Sequence, residues 1–402
     1  MTELRRSLGL GMVVLYGLGV TIGAGIYVLL GAAAGKAGVH APLAFAGAAV
    51  VMGFSAASFA ELAARLPVSA GEAAYVRAGF GSAKLSALVG FMVIAAGVVS
   101  SAAISAGSTG YIREFTDLPP ELLIVVIVLG LGAVAAWGIV QSVLFAGVFT
   151  VFEAGALLAV VGAGLWADPG IVADVPLILP AAGDSVAWAG IAGAGLLAFF
   201  AFIGFEDMVN LAEEVKDPER TLPRAIFITL ALGTLFYFMV TAVAVLSVPV
   251  DELATAEAPL SFVFGRITGA SPAVITMIAI AATLNGVIIQ IVMASRVLYG
   301  LAKQGSVPGL FARVDPRTRT PLIATGTVTA VVLVLALAVP LENLAEWTSA
   351  IVLVVFTLVN ASLLAIKHQG TPAPEGAFTV RPWVPVLGIV TCVLLLAVGF
   401  LG

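Results

Sequence analysis

The sequence predicts an all-α polytopic membrane protein with eleven transmembrane helices, and three observations predict it. Hydrophobic residues fill 61% of the 402 positions and charged residues only 10%, against about 25% charged in an ordinary soluble domain. Apolar runs long enough to cross a bilayer, ~20 residues each, follow one another with short polar joints between them. Lysine and arginine collect on alternate joints, as they do when basic loops stay on one side of a membrane.

In chain order the apolar runs fall at about 8–35, 42–66, 83–112, 120–138, 142–166, 186–214, 222–247, 272–303, 321–340, 344–366 and 383–401. The first follows a short polar, basic start and is too long for a signal-peptide core, so no cleaved leader is expected. Turn-forming pairs punctuate the joints: Pro119-Pro120 opens the fourth run, Asp168-Pro169-Gly170 follows the fifth, and Pro180 precedes the sixth. Asp217-Pro218, Asp315-Pro316 and Pro382 do the same before the seventh, ninth and eleventh. Two joints are predicted to carry structure: a semi-polar stretch from Pro67 to Gly81 that folds back on its face, and a short surface helix or lid from Pro259 to Thr268. No sizeable soluble domain fits between the runs. The chain is expected to be one transmembrane domain, with a first repeat at about 8–166, a second at about 186–366, and a peripheral helix at about 383–401.

With the N-terminus placed in the cytoplasm, fifteen of the eighteen basic residues fall on the inner side, and only Lys36, Arg113 and Arg266 fall outside. This distribution fixes the expected orientation, in a cell's inner or plasma membrane. The outer joints are acidic instead (Asp168, Asp174, Asp184, Asp251, Glu252, Glu257). Trp137, Trp166, Trp188, Trp347 and Trp383 stand near run ends, where interfacial anchors belong.

The composition also excludes several classes. The single cysteine, Cys392, forms no intrachain disulfide, and the two histidines, His40 and His368, lie in joints. There is no Cys/His spacing for structural zinc and no nucleophile with a base nearby, which argues against an enzyme. No cofactor, metal or nucleic-acid partner is expected; the lipid bilayer is. Oligomeric state is not legible.

Two runs carry an internal break. The first contains Gly17, Gly19, Gly23 and Gly25 within nine residues, and each glycine weakens a helix by about 1 kcal/mol relative to alanine. The sixth contains Phe199-Phe200-Ala201-Phe202-Ile203-Gly204-Phe205-Glu206-Asp207, a glycine met at once by two carboxylates. Helix breaks inside a bilayer survive only where protein, substrate or ions satisfy the freed backbone. Small residues that merely let helices approach closely are the ordinary alternative. Two breaks at matching places in two five-helix halves point instead to an inverted-repeat transporter, its site where the breaks meet. Half-helix N-termini suit a carboxylate and freed carbonyls suit an ammonium or a cation, so a zwitterionic amino acid offers both partners.

Carboxylates stand well inside the runs at two places, Glu153 and the Glu206-Asp207 pair. Charges at that depth are costly, about 2.5–3.5 kcal/mol on insertion scales, and are functional by default. Glu153 has a structural alternative as a neutral carboxyl bonded to a neighbouring helix. Glu206 has one as a cap on free N–H groups, compatible with gating. Ser100, Ser101, Ser105, Thr283 and Asn285 are weaker candidates for lining, and Glu61 is expected to pair with an arginine.

These residues resemble the amino acid–polyamine–organocation superfamily of amino acid permeases, and in particular its bacterial members similar to cationic amino acid transporters. The resemblance rests on Ile22-Gly23-Ala24-Gly25-Ile26, on Phe199 to Glu206, and on Glu213-Glu214-Val215-Lys216-Asp217-Pro218-Glu219-Arg220-Thr221-Leu222-Pro223-Arg224. Phe59 to Pro67 with Ser69 to Glu72, Ser295 to Tyr299, and Thr320-Pro321 extend it along nearly the whole chain. It implies a LeuT-like 5+5 inverted repeat with broken helices 1 and 6, alternating access, and an amino acid substrate. It implies that Thr21, Ile22, Gly23, Ala24 and Gly25 receive the substrate carboxylate, and that the carbonyls of Phe199, Phe202 and Ile203 near Gly204 receive its ammonium. Phe200 stands at the family's aromatic gate, where a ring facing an ammonium contributes up to about 2 kcal/mol. Glu153 stands where some proton-driven members have lysine, as a proton carrier or a sodium ligand. Proton-coupled symport is the expected activity, with exchange, sodium coupling or non-transporting amino acid sensing as alternatives. The group usually has twelve spans, so against that pattern this chain is expected to lack one peripheral helix. Neutral apolar substrates suit the aromatic and small residues around the second break.

Overall fold

Lipid offers no partner to a backbone N–H or C=O, so an apolar chain closes its hydrogen bonds within helices. The computed structural model describes residues 6–67, 71–137, 143–212, 214–318 and 320–401, and its apolar runs are helical except where the first and the sixth are interrupted. Of the motif residues above, Ser69, Ala70 and Glu213 lie outside the described residues, as do the basic residues Arg5 and Arg319 counted on the inner side.

The chain opens with α1 (Leu10–Thr21) and α2 (Ala24–Ala37), then α3 (Ala41–Arg65), α4 (Gly71–Phe80) and α5 (Ala83–Arg113). α6 (Pro120–Trp137), α7 (Val143–Ala167) and the short α8 (Ile171–Asp174) follow. The sixth run is divided into α9 (Ser185–Gly193), α10 (Gly195–Phe200) and a 3-10 segment at Phe205–Leu211. Next come α11 (Pro218–Ser247), α12 (Val250–Thr255), α13 (Pro259–Thr268) and α14 (Ala273–Lys303). α15 (Leu322–Ala338), α16 (Leu341–His368) and α17 (Trp383–Leu401) complete the order. Among the described residues, eight helical stretches are long and apolar enough to cross a membrane, and Leu10–Thr21, Leu322–Ala338 and Trp383–Gly399 are shorter apolar helices. The first of the eight, Gly25–Arg65, is folded at Gly38, whose φ of 60° only glycine adopts easily.

Both structured joints are present. α4 occupies the stretch expected to fold back, and α13 covers Pro259–Thr268. Proline at the start of α13 and Gly269 in the left-handed region at its end are ordinary helix punctuation. α12 went unforeseen; Asp251 and Glu252 in its first turn complement the helix dipole.

α5 packs along α14 and α16, and α3 along α11, while α1 lies against α11 and α7. Charges pin the ends. Glu61, wholly buried, accepts from Arg65 at 2.8 Å, from Lys367 Nζ at 2.6 Å and from the Val380 N–H at 2.7 Å, which ties α3 to α16 and to the strand of chain before α17. The expected arginine partner is therefore joined by a lysine from 306 residues away. On the opposite face, the three basic residues that break the charge asymmetry are each paired: Lys36 with Glu346, Arg113 with Glu257 at 2.5 Å, and Arg266 with Glu252 at 3.7 Å.

Removing one partner of a buried charge cluster leaves the others uncompensated, at a cost of about 3–5 kcal/mol. Glu61→Ala is therefore expected to lower the thermal unfolding temperature of the purified protein clearly. Arg266→Ala, whose pair is exposed, is expected to leave it unchanged in the same assay.

Candidate functional site

α1 ends at Thr21, where Ile22 N–H still bonds Leu18 C=O at 2.6 Å, and Gly23 then turns the chain into α2. In the sixth run, α10 gives way to tight turns: Ala201, Phe202 and Ile203 donate to the carbonyls of Ala198, Phe199 and Phe200 at 3.0–3.2 Å. Gly204 stands at φ 126°, a conformation costly for any residue with a side chain, and the 3-10 segment begins behind it. Glu206 reaches back to accept from the Gly204 N–H at 2.8 Å. The carboxylate thus occupies one of the donors that the break releases.

The two breaks touch. A Cβ on Gly25 would lie 2.3 Å from Ala201 Cα, and one on Gly204 would lie 2.7 Å from Val20 Cγ1. Tyr237 of α11 lies beside both: its hydroxyl meets the Thr21 carbonyl and, at 2.7 Å, the Ala201 carbonyl. One O–H proton serves two acceptors, so the freed carbonyls remain one donor short. The ring is fixed edge-to-face on Phe202, with centroids 4.9 Å apart.

A hollow of about 30 Å³ lies at the breaks, lined by Gly19, Val20, Thr21, Gly23, Gly25, Ser100, Phe200, Ala201, Ile203 and Gln290, among others. That is room for about one water. The Thr21 hydroxyl is buried there without a hydrogen-bond partner among the described residues. A second cavity of about 660 Å³ reaches Gly19, Val20 and Ile203 from one face only. It follows α5 from Ser100 to Ser86, fourteen residues or about 21 Å of helix, and α14 from Asn285 to Leu301, with Gln304 just past its end. On the other face the way is shut. The Leu253 carbonyl lies against Gly31, the Glu257 carbonyl against Gly110, and Leu260 N–H bonds Tyr111 Oη at 3.4 Å.

Glu153 lines the large cavity, is 1% exposed, and neither carboxyl oxygen meets a hydrogen-bond partner among the described residues. The bonded neighbour expected of a structural carboxyl is thus not seen. Its main-chain carbonyl accepts from Tyr27 Oη at 3.0 Å, and Tyr111 Oη in turn bonds the Tyr27 carbonyl at 2.5 Å. Glu206, Asp207, Glu214 and Glu72 line the same cavity, with Arg296.

The structure places the sequence-derived candidates unequally. Thr21, Gly23, Gly25, Phe200 and Ile203 line the small hollow, while Ile22 is wholly buried and lines neither cavity. Ala24 starts α2, and its side chain is outside the described residues. Phe199 and Phe202 face away into aromatic packing, Phe199 on Phe356 at 6.0 Å, and the Phe199 carbonyl already accepts from Phe202 N–H. Gly204 sets the turn with its N–H taken by Glu206. Ser100 and Asn285 reach a cavity; Ser101, Ser105 and Thr283 do not. Sequence reading missed Tyr237, Gln290 and Glu72. Tyr237 carried one signal, a hydroxyl in the middle of an apolar run.

A family model described as amino acid permease matches residues 8–402. An uncharacterized transporter of Mycobacterium tuberculosis is 37% identical over 98% of this chain and 86% of its own length. A branched-chain amino acid permease of Bacillus subtilis is 29% identical over 98% and 88% respectively. The crystal structure of MhsT in complex with L-phenylalanine covers the whole of both chains with a TM-score of 0.65 at 12% identity. The fold is thus the LeuT-like inverted repeat with its first and sixth helices broken.

Overpacking a close backbone contact costs about 1–3 kcal/mol. Gly25→Ala forces the breaks apart and is expected to lower thermal stability by that order. Gly23→Ala meets only an ordinary contact, 3.5 Å from the Val20 carbonyl, and is expected to leave the melting curve where it is.

Proposed function

The chain belongs to the amino acid permease family, and from that premise we propose a secondary active transporter that carries an amino acid by alternating access, with a proton as coupling ion. One observation carries the reading: two broken helices meet in mid-protein, and a cavity approaches them from one face while the other face is sealed. In this reading the backbone N–H groups at the start of α2, from Gly23 to Gly25, take the substrate carboxylate, since the Ile22 N–H is already held by the Leu18 carbonyl. The carbonyls around Ala201, Phe202 and Ile203 take its ammonium, which supplies the donor that the Tyr237 hydroxyl cannot. Phe200, at the wall of the hollow, serves as the gate over the ammonium. The hollow of about 30 Å³ is too small for an amino acid, so the breaks part when substrate enters and close again when it leaves.

Charge asymmetry supports a cytoplasmic N-terminus, so the large cavity opens inward and the sealed face is external. Coupling is assigned to Glu153. A buried carboxyl with no hydrogen-bond partner is tolerated when a proton makes it neutral, and its loss to the cavity accompanies release. The restraint on Phe199, whose carbonyl is already engaged, leaves Phe202 and Ile203 as the nearer ammonium acceptors.

The test is uptake into proteoliposomes with a panel of labelled amino acids, under an inward proton gradient and then a sodium gradient. Accumulation driven by the proton gradient and collapsed by a protonophore is expected. Glu153→Gln is expected to keep exchange but to lose driven accumulation by roughly a hundredfold, the scale of a missing proton-transfer group. Undiminished driven uptake in that variant refutes the coupling assignment, and sodium-driven uptake replaces the ion.

A further inference from the structure

We propose that Glu72, on the short helix α4, is the final proton-holding group of a release path that begins at Glu153 and descends the large cavity to the face where that cavity opens. The inference rests on the proton-coupled reading above. It begins from an oddity of placement. An acidic residue in the first turn of a helix is ordinarily explained by the helix dipole, which an exposed side chain serves as well. Glu72 is only 8% exposed and is turned into the cavity wall beside Ala73.

The groups around it are arranged for proton exchange. The segment Phe205–Leu211 presents Glu206 and Asp207, both within electrostatic reach of Glu72, and Tyr75 stands on its own helix. α14 brings Arg296, α1 brings Tyr16, and Glu214 stands beyond the 3-10 segment. α5 and α16, which pack against α4, turn uncharged side chains such as Ser86 and Thr348 to the cavity. At the deep end stands the unpartnered carboxyl of Glu153, nine-tenths and more buried and facing the same space. Both carboxyls line the one cavity, which is wide enough for water to carry a proton between them. Burial pushes the Glu72 carboxyl above its ordinary range, so it holds a proton at a higher pH than an exposed glutamate does.

The step balances simply. Glu153 gives its proton to cavity water, the hydronium passes it to the Glu72 carboxylate, and Glu72 then releases it to bulk water. Only O–H bonds form and break, and one proton leaves for each one delivered.

Purified full-length protein in proteoliposomes with pyranine in the lumen tests this, with an equimolar mixture of the twenty standard L-amino acids as the driving substrate. Glu72→Gln keeps the size and hydrogen-bonding reach of the side chain but holds no exchangeable proton. It is expected to slow amino-acid-driven lumenal acidification roughly tenfold, to leave exchange of a tritiated amino acid mixture unchanged, and to regain the wild-type rate in Glu72→Asp. Wild-type acidification in Glu72→Gln overturns the inference, and so does an equal loss of acidification and exchange, which marks a structural residue. Glu153→Gln separates the two levels: if that variant acidifies the lumen normally, the coupling reading fails and the release path with it. If only Glu153→Gln is impaired, the coupling stands and Glu72 is not on the path.

Discussion

Helix breaks inside a membrane protein leave polar backbone that lipid cannot satisfy, and here two such breaks press against each other. Gly25 lies on Ala201 and Gly204 on Val20 at distances that leave no room for a Cβ. Those contacts let one hydroxyl, Tyr237, reach both released carbonyls, and let Glu206 fold back on the Gly204 N–H. The geometry of the site follows from them. Moving either segment exposes unpaired groups, at about 1–3 kcal/mol for each buried orphan, unless something else supplies the partners. A zwitterion supplies both kinds.

The cavity extends the same logic down to one face. Its wall carries several carboxyls: Glu153, Glu206 at the second break with Asp207 beside it, and Glu72 on α4. The opposite face is closed by carbonyls packed on Gly31 and Gly110 and by the Arg113–Glu257 pair. A site reached from one side at a time is what alternating access requires. Closure on one face and opening on the other are therefore one arrangement of helices rather than two separate features.

Much of this was legible in the sequence. Composition and run length fixed a helical membrane protein, and the glycines of the first run with Gly204-Phe205-Glu206 located both breaks. Pro259 and Gly269 marked the ends of α13 well enough to foresee it. What stayed hidden depends on facing and on long-range partners. Periodicity in an apolar run shows no inside, because lipid and protein core are equally apolar, so the aromatic packing that takes the rings of Phe199 and Phe202 left no mark in the sequence. Tyr237 meets Thr21 across 216 positions of chain, and Glu61 meets Lys367 across 306; neither pairing leaves a local trace. The sixth run looked like one interrupted helix and is three pieces, since glycine marks where a helix can yield, not how far the disorder of its ladder spreads.

The account stands on the breaks gripping both charges of an amino acid at once. Equilibrium binding to the purified protein measures that directly, comparing an amino acid that binds with its decarboxylated amine and its deaminated acid. Each relative lacks one partner and leaves buried backbone groups unpaired, so each is expected to bind weaker by about a hundredfold or more. An amine or acid that binds as tightly as the parent contradicts the account, because the site then reads one charge and has no use for two meeting breaks.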